Sequence, residues 1–231
     1  MDQQQFLNTI RHSLIVSCQA LEYEPLHGAN MMAKMAQAAK EGGAKAIRCN
    51  TYADARAIKE QTGLPLISIV KCEYSDSEVF ITPTVKEIQE LLPVNPEVIA
   101  LDATNRPRPS QESLKDLVDY IHDHSSALVM GDVATERDAE YAATCNVDIL
   151  SSTLSGYTEE TAHKMGPDFN LVKQLVTVYD IPVIAEGKIH TPEQAQKMLA
   201  LGAWSVVVGG AITRPQLITK TFVSALKTEE R

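Results

Sequence analysis

The chain alternates between two hydrophobic patterns. Short β-branched apolar runs, most of them ending on a polar or charged residue, are followed by longer stretches with apolar positions three and four apart. The stretch from Ile181 shows the unit plainly. An apolar run to Ala185 stops at Glu186 and Gly187, and Thr191-Pro192-Glu193-Gln194 then reads as a helix start. Thr191 is the N-cap, Pro192 takes the first helical position, and Gln194 closes a capping box.

The same unit repeats along the chain. Residues 2 to 12 predict a lead-in helix, and Ser13 to Ala20 a first strand ending at Gln19. A helix from Asn30 to Glu41 is stopped by Gly42-Gly43. Strand two, Ala44 to Asn50, carries Arg48, and a helix follows from Tyr52 to Thr62. Strand three, Leu64 to Lys71, is apolar until Lys71. A long excursion, Cys72 to Pro83, contains a short β-like run at Val79 to Ile81 and precedes a helix from Val85 to Leu92. Strand four, Glu97 to Thr104, carries Asp102 and leads through a loop, 105–109, to an amphipathic helix over Ser110 to Asp123. Strand five ends at Asp132, with a helix from Thr135 to Thr144. Strand six, Val147 to Leu154, ends in Ser-Ser-Thr, with a helix from Phe169 to Tyr179. Strand eight, Trp204 to Val208, runs into Gly209-Gly210, and a last helix begins after Pro215.

Eight βα units in 231 residues, with no linker-like stretch, predict one (β/α)₈ barrel domain spanning residues 1–231. A doubly wound open sheet is the runner-up, but no G-x-G-x-x-G turn follows strand one. Composition narrows the partners. A net charge of −9 argues against nucleic acid or an anionic membrane surface. No apolar run approaches the roughly 20 residues that cross a bilayer, and the start Met1-Asp2-Gln3-Gln4-Gln5 is unlike a signal peptide, so a cytoplasmic protein is expected. Cys18, Cys49, Cys72 and Cys145 show no C-x-x-C pairing and read as structural thiols, the first three pointing outward beneath the helices. His190 reads as a solvated turn residue, and no histidine spacing suggests a metal site.

In a barrel all strand C-termini open on one face. That mouth would gather Gln19, Arg48, Lys71, Asp102, Asp132, Thr153, Glu186 and Gly209-Gly210. Charges at strand ends need a reason, because burying one unpaired is costly. Gly187, Gly209 and Gly210 sit where barrels of this type bind phosphate through backbone N–H groups; Arg214 would add a guanidinium, and Lys188 adjoins the same turn as a substrate contact. Strands three and seven lie opposite each other in a ring of eight. Lys71 and Glu186 would then face one another across a substrate, as proton abstraction with inversion requires. Burial beside Arg48 would lower the Lys71 pKa toward the working range. The alternative is a Lys71–Asp132 ion pair that only closes the mouth.

The strings SCQAL (17–21), EPLHG (24–28), VFITPT (79–84), LDATNRPRP (101–109), STLSGYT (152–158), PVIAEGKIHTPEQA (182–195) and VVVGGAITRPQLIT (206–219) resemble those of the N-acylglucosamine-6-phosphate 2-epimerase family. The resemblance covers nearly the whole chain. It implies a phosphate-binding barrel similar to the ribulose-phosphate-binding type. The implied reaction, part of bacterial sialic acid catabolism, interconverts N-acetylmannosamine 6-phosphate and N-acetylglucosamine 6-phosphate through an enediolate, without metal or organic cofactor. It also implies that Lys71 in IVKCEY and Glu186 in VIAEGK are catalytic, and that Gln19, Arg48, Asp132 and Arg214 contact substrate or support catalysis, with Asp132 orienting Lys71 or assisting ring opening. A homodimer is implied as well, and the last helix, with Leu217, Ile218, Phe222, Val223 and Leu226, would pack on the barrel or on a second subunit. A Schiff-base aldolase using Lys71 and a non-catalytic sugar-phosphate sensor stand as alternatives. A D-x-K-x-x-D decarboxylase does not fit the residues around Lys71.

Overall fold

Eight parallel strands hydrogen-bond in sequence order and close on themselves, β1 to β8, as the alternating pattern predicts. The structure is a computed structural model that describes residues 1–226. The strands are β1 (Leu14–Cys18), β2 (Ala46–Asn50), β3 (Leu66–Ile69), β4 (Val98–Asp102), β5 (Leu128–Asp132), β6 (Ile149–Ser151), β7 (Val183–Ala185) and β8 (Ser205–Val208). Helices α1 (Gln3–Ile10), α2 (Ala29–Glu41), α3 (Tyr52–Thr62), α4 (Val85–Leu91), α5 (Leu114–His124), α6 (Glu136–Thr144), α7 (Phe169–Val178) and α8 (Pro192–Ala200) follow the predicted order; a short α9 (Gly210–Thr213) and α10 (Pro215–Ala225) end the described chain.

Local chemistry sets the helix starts. Thr84, Thr135 and Thr191 each close a capping box, satisfying N–H groups that have no partner inside the helix. Helix α5 begins at Leu114 rather than Ser110, because Ser113 accepts from the Asp116 N–H as N-cap. The preceding turn, Pro109–Gln111, holds Ser110 and Gln111 at φ 56° and 57°, which a helix cannot continue.

Alternation along each strand separates two sides. Inside the barrel, Ile15, Ala46, Ile67, Ile69, Val98, Ala100, Leu128, Met130, Ile149, Ile184 and Val207 form one buried cluster. Residues of the opposite parity pack beneath the helices. Cys18 and Cys49, partners in register, lie there against α2 and α3, with thiols pushed up to about 12 by burial. Cys145 is buried at the end of α6. Cys72 departs from the expectation: it lies past the end of β3 in the excursion, and is half-buried.

Helix α1 closes the bottom. Phe6 and Ile10 insert into the inner cluster, and the Trp204 indole donates to the Leu7 carbonyl at 2.8 Å. The amphipathic lead-in segment is thus a plug for the strand N-termini. At the other end, α10 buries none of its residues against the barrel, and Leu217, Phe222, Val223 and Leu226 are exposed.

The plug makes a prediction. Phe6→Ala should destabilise the fold by roughly 3–5 kcal/mol, the usual cost of a cavity at a buried aromatic, in urea denaturation. The opposite mouth should keep its kinetics. A loss below about 1 kcal/mol would mean that α1 is not part of the core.

Candidate functional site

Extending the inward parity of each strand by one or two residues brings Gln19, Arg48, Lys71, Asp132, Thr153, Glu186 and Gly209 to the same end of the barrel. All but Asp132, which is fully buried, line a cavity of about 680 Å³. Arg48 lies at its floor, 1% exposed. Its guanidinium makes a bidentate pair with Asp132, and its Nη1 also donates to Glu186 Oε2 at 2.6 Å and to Thr153 Oγ1 at 3.2 Å. Thr153 Oγ1 in turn stands 2.7 Å from Asp132 Oδ1 and 3.1 Å from Glu186 Oε2. Side chains from β2, β5, and the ends of β6 and β7 are therefore joined through one cation. Burial alone would lower the Arg48 pKa, but the two carboxylates reverse that and hold it charged. Charge-assisted bonds of this kind offset the desolvation that makes buried ions costly.

Lys71 and Glu186 stand at the ends of β3 and β7, four strands apart in a closed ring of eight, and both line the cavity. Lys71 takes part in no ion pair among the described residues; its backbone N–H donates to Asn50 Oδ1 at 2.8 Å. Burial brings its pKa down from the ordinary lysine value to about 8, and the charges of Arg48 and Arg214 push the same way. Burial raises the Glu186 carboxyl above its ordinary range, against the pull of Arg48. The alternative Lys71–Asp132 pair is not formed. Asp132, fully buried, faces Arg48 and Thr153, so it supports Arg48 rather than orienting Lys71.

The phosphate-binding candidates lie along the β7, β8 and β1 side. Gly187 holds φ +108°, and a Cβ there would come within 3.3 Å of the Thr153 carbonyl, so only glycine suits the position. Gly209 and Gly210 enter α9, whose first internal bonds run from Ile212 and Thr213 to Gly209, leaving the earlier N–H groups free of intrahelical partners. Arg214 lines the cavity beside them. Gln19 Nε2 donates to Ser17 Oγ at 2.9 Å, and its carbonyl accepts from Arg214 Nη2 at 3.2 Å. Lys188 is on the cavity wall, but its ammonium sits over the Tyr157 ring, 5.1 Å from the centroid, and donates to the Lys164 carbonyl.

Two expected members do not line the cavity: Asp132, which lies buried behind Arg48, and Asp102. Asp102 is bound by its own loop, through Thr104 and Arg106, and does not line the cavity. An Asp-x-Thr-x-Arg loop satisfies the charge locally before it reaches the mouth. The excursion after β3 forms a small hairpin, with Lys71 bridging Ile81 and Tyr74 bridging Ser77, and its Phe80 and Ile81 form cavity wall. Residues the sequence reading passed over include Ser17, Tyr23, Glu24, Tyr157 and Gln216. Only Ser17 carries a signal, its inward parity with Gln19; the others stand in loops or at a helix end, where periodicity says nothing.

Residues 32–228 match the family described as "Putative N-acetylmannosamine-6-phosphate epimerase". The chain is 52% identical over 221 residues to a Clostridium perfringens (strain SM101) protein described as "Putative N-acetylmannosamine-6-phosphate 2-epimerase", covering 96% of this chain and 100% of that one. A protein of the same description from Oceanobacillus iheyensis is 54% identical over 220 residues, covering 94% and 99%. Among solved structures, the N-acetylmannosamine-6-phosphate 2-epimerase of Clostridium perfringens superposes with a TM-score of 0.93 at 52% identity, covering 95% of this chain and 96% of that one.

Removing Arg48 should expose how much the site depends on it. Arg48→Gln leaves Asp132 and Glu186 buried without a cation, and should cost about 3–5 kcal/mol. Without Arg48 the Glu186 carboxyl, already raised by burial, would rise further above its unfolded value, so the variant binds more protons when folded and gains stability as pH falls. Denaturation between pH 8 and 5 should show the gap to the parent protein narrowing on acidification. A gap independent of pH would contradict the assignment.

Proposed function

The chain belongs to the N-acetylmannosamine-6-phosphate epimerase family and is a carbohydrate-phosphate epimerase; on that premise we propose that it interconverts N-acetylmannosamine 6-phosphate and N-acetylglucosamine 6-phosphate by moving a proton at C2. Family membership sets aside the aldolase and sensor readings. The observation that carries the mechanism is the pair of groups on opposite walls of one cavity, an amine with a lowered pKa and a carboxyl with a raised one.

The C2 proton is acidic when C1 is an aldehyde, so the sugar reacts in its open-chain form. One of Lys71 and Glu186 takes the C2 proton, and the other returns a proton on the opposite face. The intermediate is an enolate rather than the enediolate expected from the sequence, because C2 carries nitrogen instead of a hydroxyl. A single proton shared by the pair serves both directions. With Lys71 protonated and Glu186 ionised, the carboxylate is the base; one turnover leaves Lys71 neutral and Glu186 protonated, ready for the other epimer. Arg48 holds the Glu186 carboxylate toward the cavity, and its charge favours the anionic intermediate through the field rather than by direct contact, since both its Nη atoms already have partners. The phosphate, on Gly187, Gly209, Gly210 and Arg214, contributes binding energy remote from C2 that positions it. Gln19 and Lys188 complete the substrate contacts. Work in the cytoplasm, within sialic acid catabolism, is part of the same proposal. A homodimer is a further part, and the exposed apolar side chains of α10 support it.

The active form carries one proton on the pair. It is lost below the raised pKa of Glu186, where both groups are protonated, and above about 8, where Lys71 gives up its proton. The profile of kcat/KM against pH should therefore be bell-shaped, with its basic limb near 8. Lys71→Met and Glu186→Gln should each lower kcat by about 10²–10⁴, with KM changed far less. Arg214→Ala should act mainly on KM. Steady-state kinetics on N-acetylmannosamine 6-phosphate that show the reverse division would overturn these roles.

A further inference from the structure

Arg214 is engaged before any substrate arrives. Its Nε donates to Glu24 Oε1 at 2.5 Å and its Nη2 to Glu24 Oε2 at 2.9 Å, a bidentate pair. Glu24 lies in the loop between β1 and α2, far from Arg214 in sequence and on the cavity wall. Two further donors fix the carboxylate. The Leu21 N–H reaches Oε2 at 2.9 Å, and Gln216 Nε2 reaches Oε1 at 3.1 Å. A tight turn backs this up, with the Glu24 N–H on the Leu21 carbonyl at 2.8 Å. Each carboxylate oxygen thus accepts twice, which fills its acceptor capacity. The Glu24 side chain is 9% exposed.

The guanidinium is held along one edge only. Nη2 is also taken by the Gln19 carbonyl, whereas Nη1 has no partner among the described residues and lies over Gly210, 3.8 Å from where a Cβ would stand. A free arginine with several rotatable bonds would have to be ordered when an anion binds. Here that ordering is already built in, with the open edge turned toward the α9 turn.

We propose that Glu24 is a positioning residue for the substrate's phosphate group: it clamps the Nε and Nη2 edge of Arg214 so that Nη1 is presented to the anion. This rests on the reading above, in which the glycine turns and Arg214 receive a phosphate. Glu24 touches neither the phosphate nor the reacting carbon. Its own charge is unfavourable to an anion and is neutralised by Arg214. The consequence is a change of sign: with Arg214 present Glu24 helps phosphate binding, and without Arg214 it opposes it.

A double-mutant cycle tests this. Glu24→Gln should raise KM for N-acetylmannosamine 6-phosphate by about tenfold through lost ordering, with kcat changed less than about twofold. In an Arg214→Ala background the same substitution should lower KM, because it removes an uncompensated carboxylate beside the anion. Glu24→Asp, one methylene short, should fall between Gln and the parent. The dissociation constant of inorganic phosphate, by calorimetry, should follow the same pattern and does not depend on turnover. If the parent protein fails to turn over the sugar phosphate while phosphate binding shows the sign change, the reaction assignment fails and the clamp stands. A fall in KM and in the phosphate dissociation constant for Glu24→Gln alone would make Glu24 a competitor of phosphate and overturn the clamp. Equal losses in both backgrounds, or a loss confined to kcat, would also overturn it.

Discussion

A guanidinium buried between two carboxylates is the constraint around which this barrel is arranged. Arg48 rises from β2 and reaches Asp132 at the end of β5 and Glu186 just past β7, so it spans the barrel interior instead of pairing with a neighbouring strand. A guanidinium and two carboxyl groups taken from water are tolerable only because their hydrogen bonds converge on one another, with Thr153 Oγ1 accepting from Arg48 and within reach of both carboxyls for its one proton. The same charge acts on both Lys71 and Glu186. It opposes the burial that raises Glu186 and adds to the burial that lowers Lys71. Its removal would alter stability and chemistry together.

The site divides into two regions that meet at one turn. In the proposed reaction, proton transfer belongs to Lys71 and Glu186, and anion binding to the glycine turns after β7 and β8 with Arg214. Glu186 and Gly187 are adjacent, so the residue that handles the proton and the backbone that would meet the phosphate share a single peptide unit. That adjacency fixes how far apart the reacting carbon and the phosphate must be held. It also explains why Gly187 admits no side chain: the Ser152 and Thr153 carbonyls already crowd the position.

The barrel was legible because its strands announce themselves twice, by β-branched runs and by the polar residue that ends them. Inward parity then carries Arg48, Lys71, Asp132, Thr153 and Glu186 to one place without further information. Asp102 has the same parity and was read the same way, but Thr104 and Arg106 neutralise it locally, a pairing that strand periodicity does not report. The pairing of Arg48 with Glu186 was equally out of reach, since β2 and β7 are neither neighbours nor opposite in the ring, and strand order does not say which inward charges will pair. Glu24 was hidden for another reason. A carboxylate in a polar loop looks solvated until the partner from the far end of the chain, Arg214, is placed beside it. The α1 plug was visible as a helix, although its task appeared only once Phe6 and Ile10 were seen inside the barrel.

The most direct measurement is proton NMR of N-acetylmannosamine 6-phosphate turning over in D₂O. Transfer between two opposed groups predicts that the first N-acetylglucosamine 6-phosphate formed carries deuterium at C2, while the remaining starting sugar still holds its original proton. A product that keeps the substrate's own C2 proton would contradict the two-sided mechanism, and with it the reading of Lys71 and Glu186 as partners across the cavity.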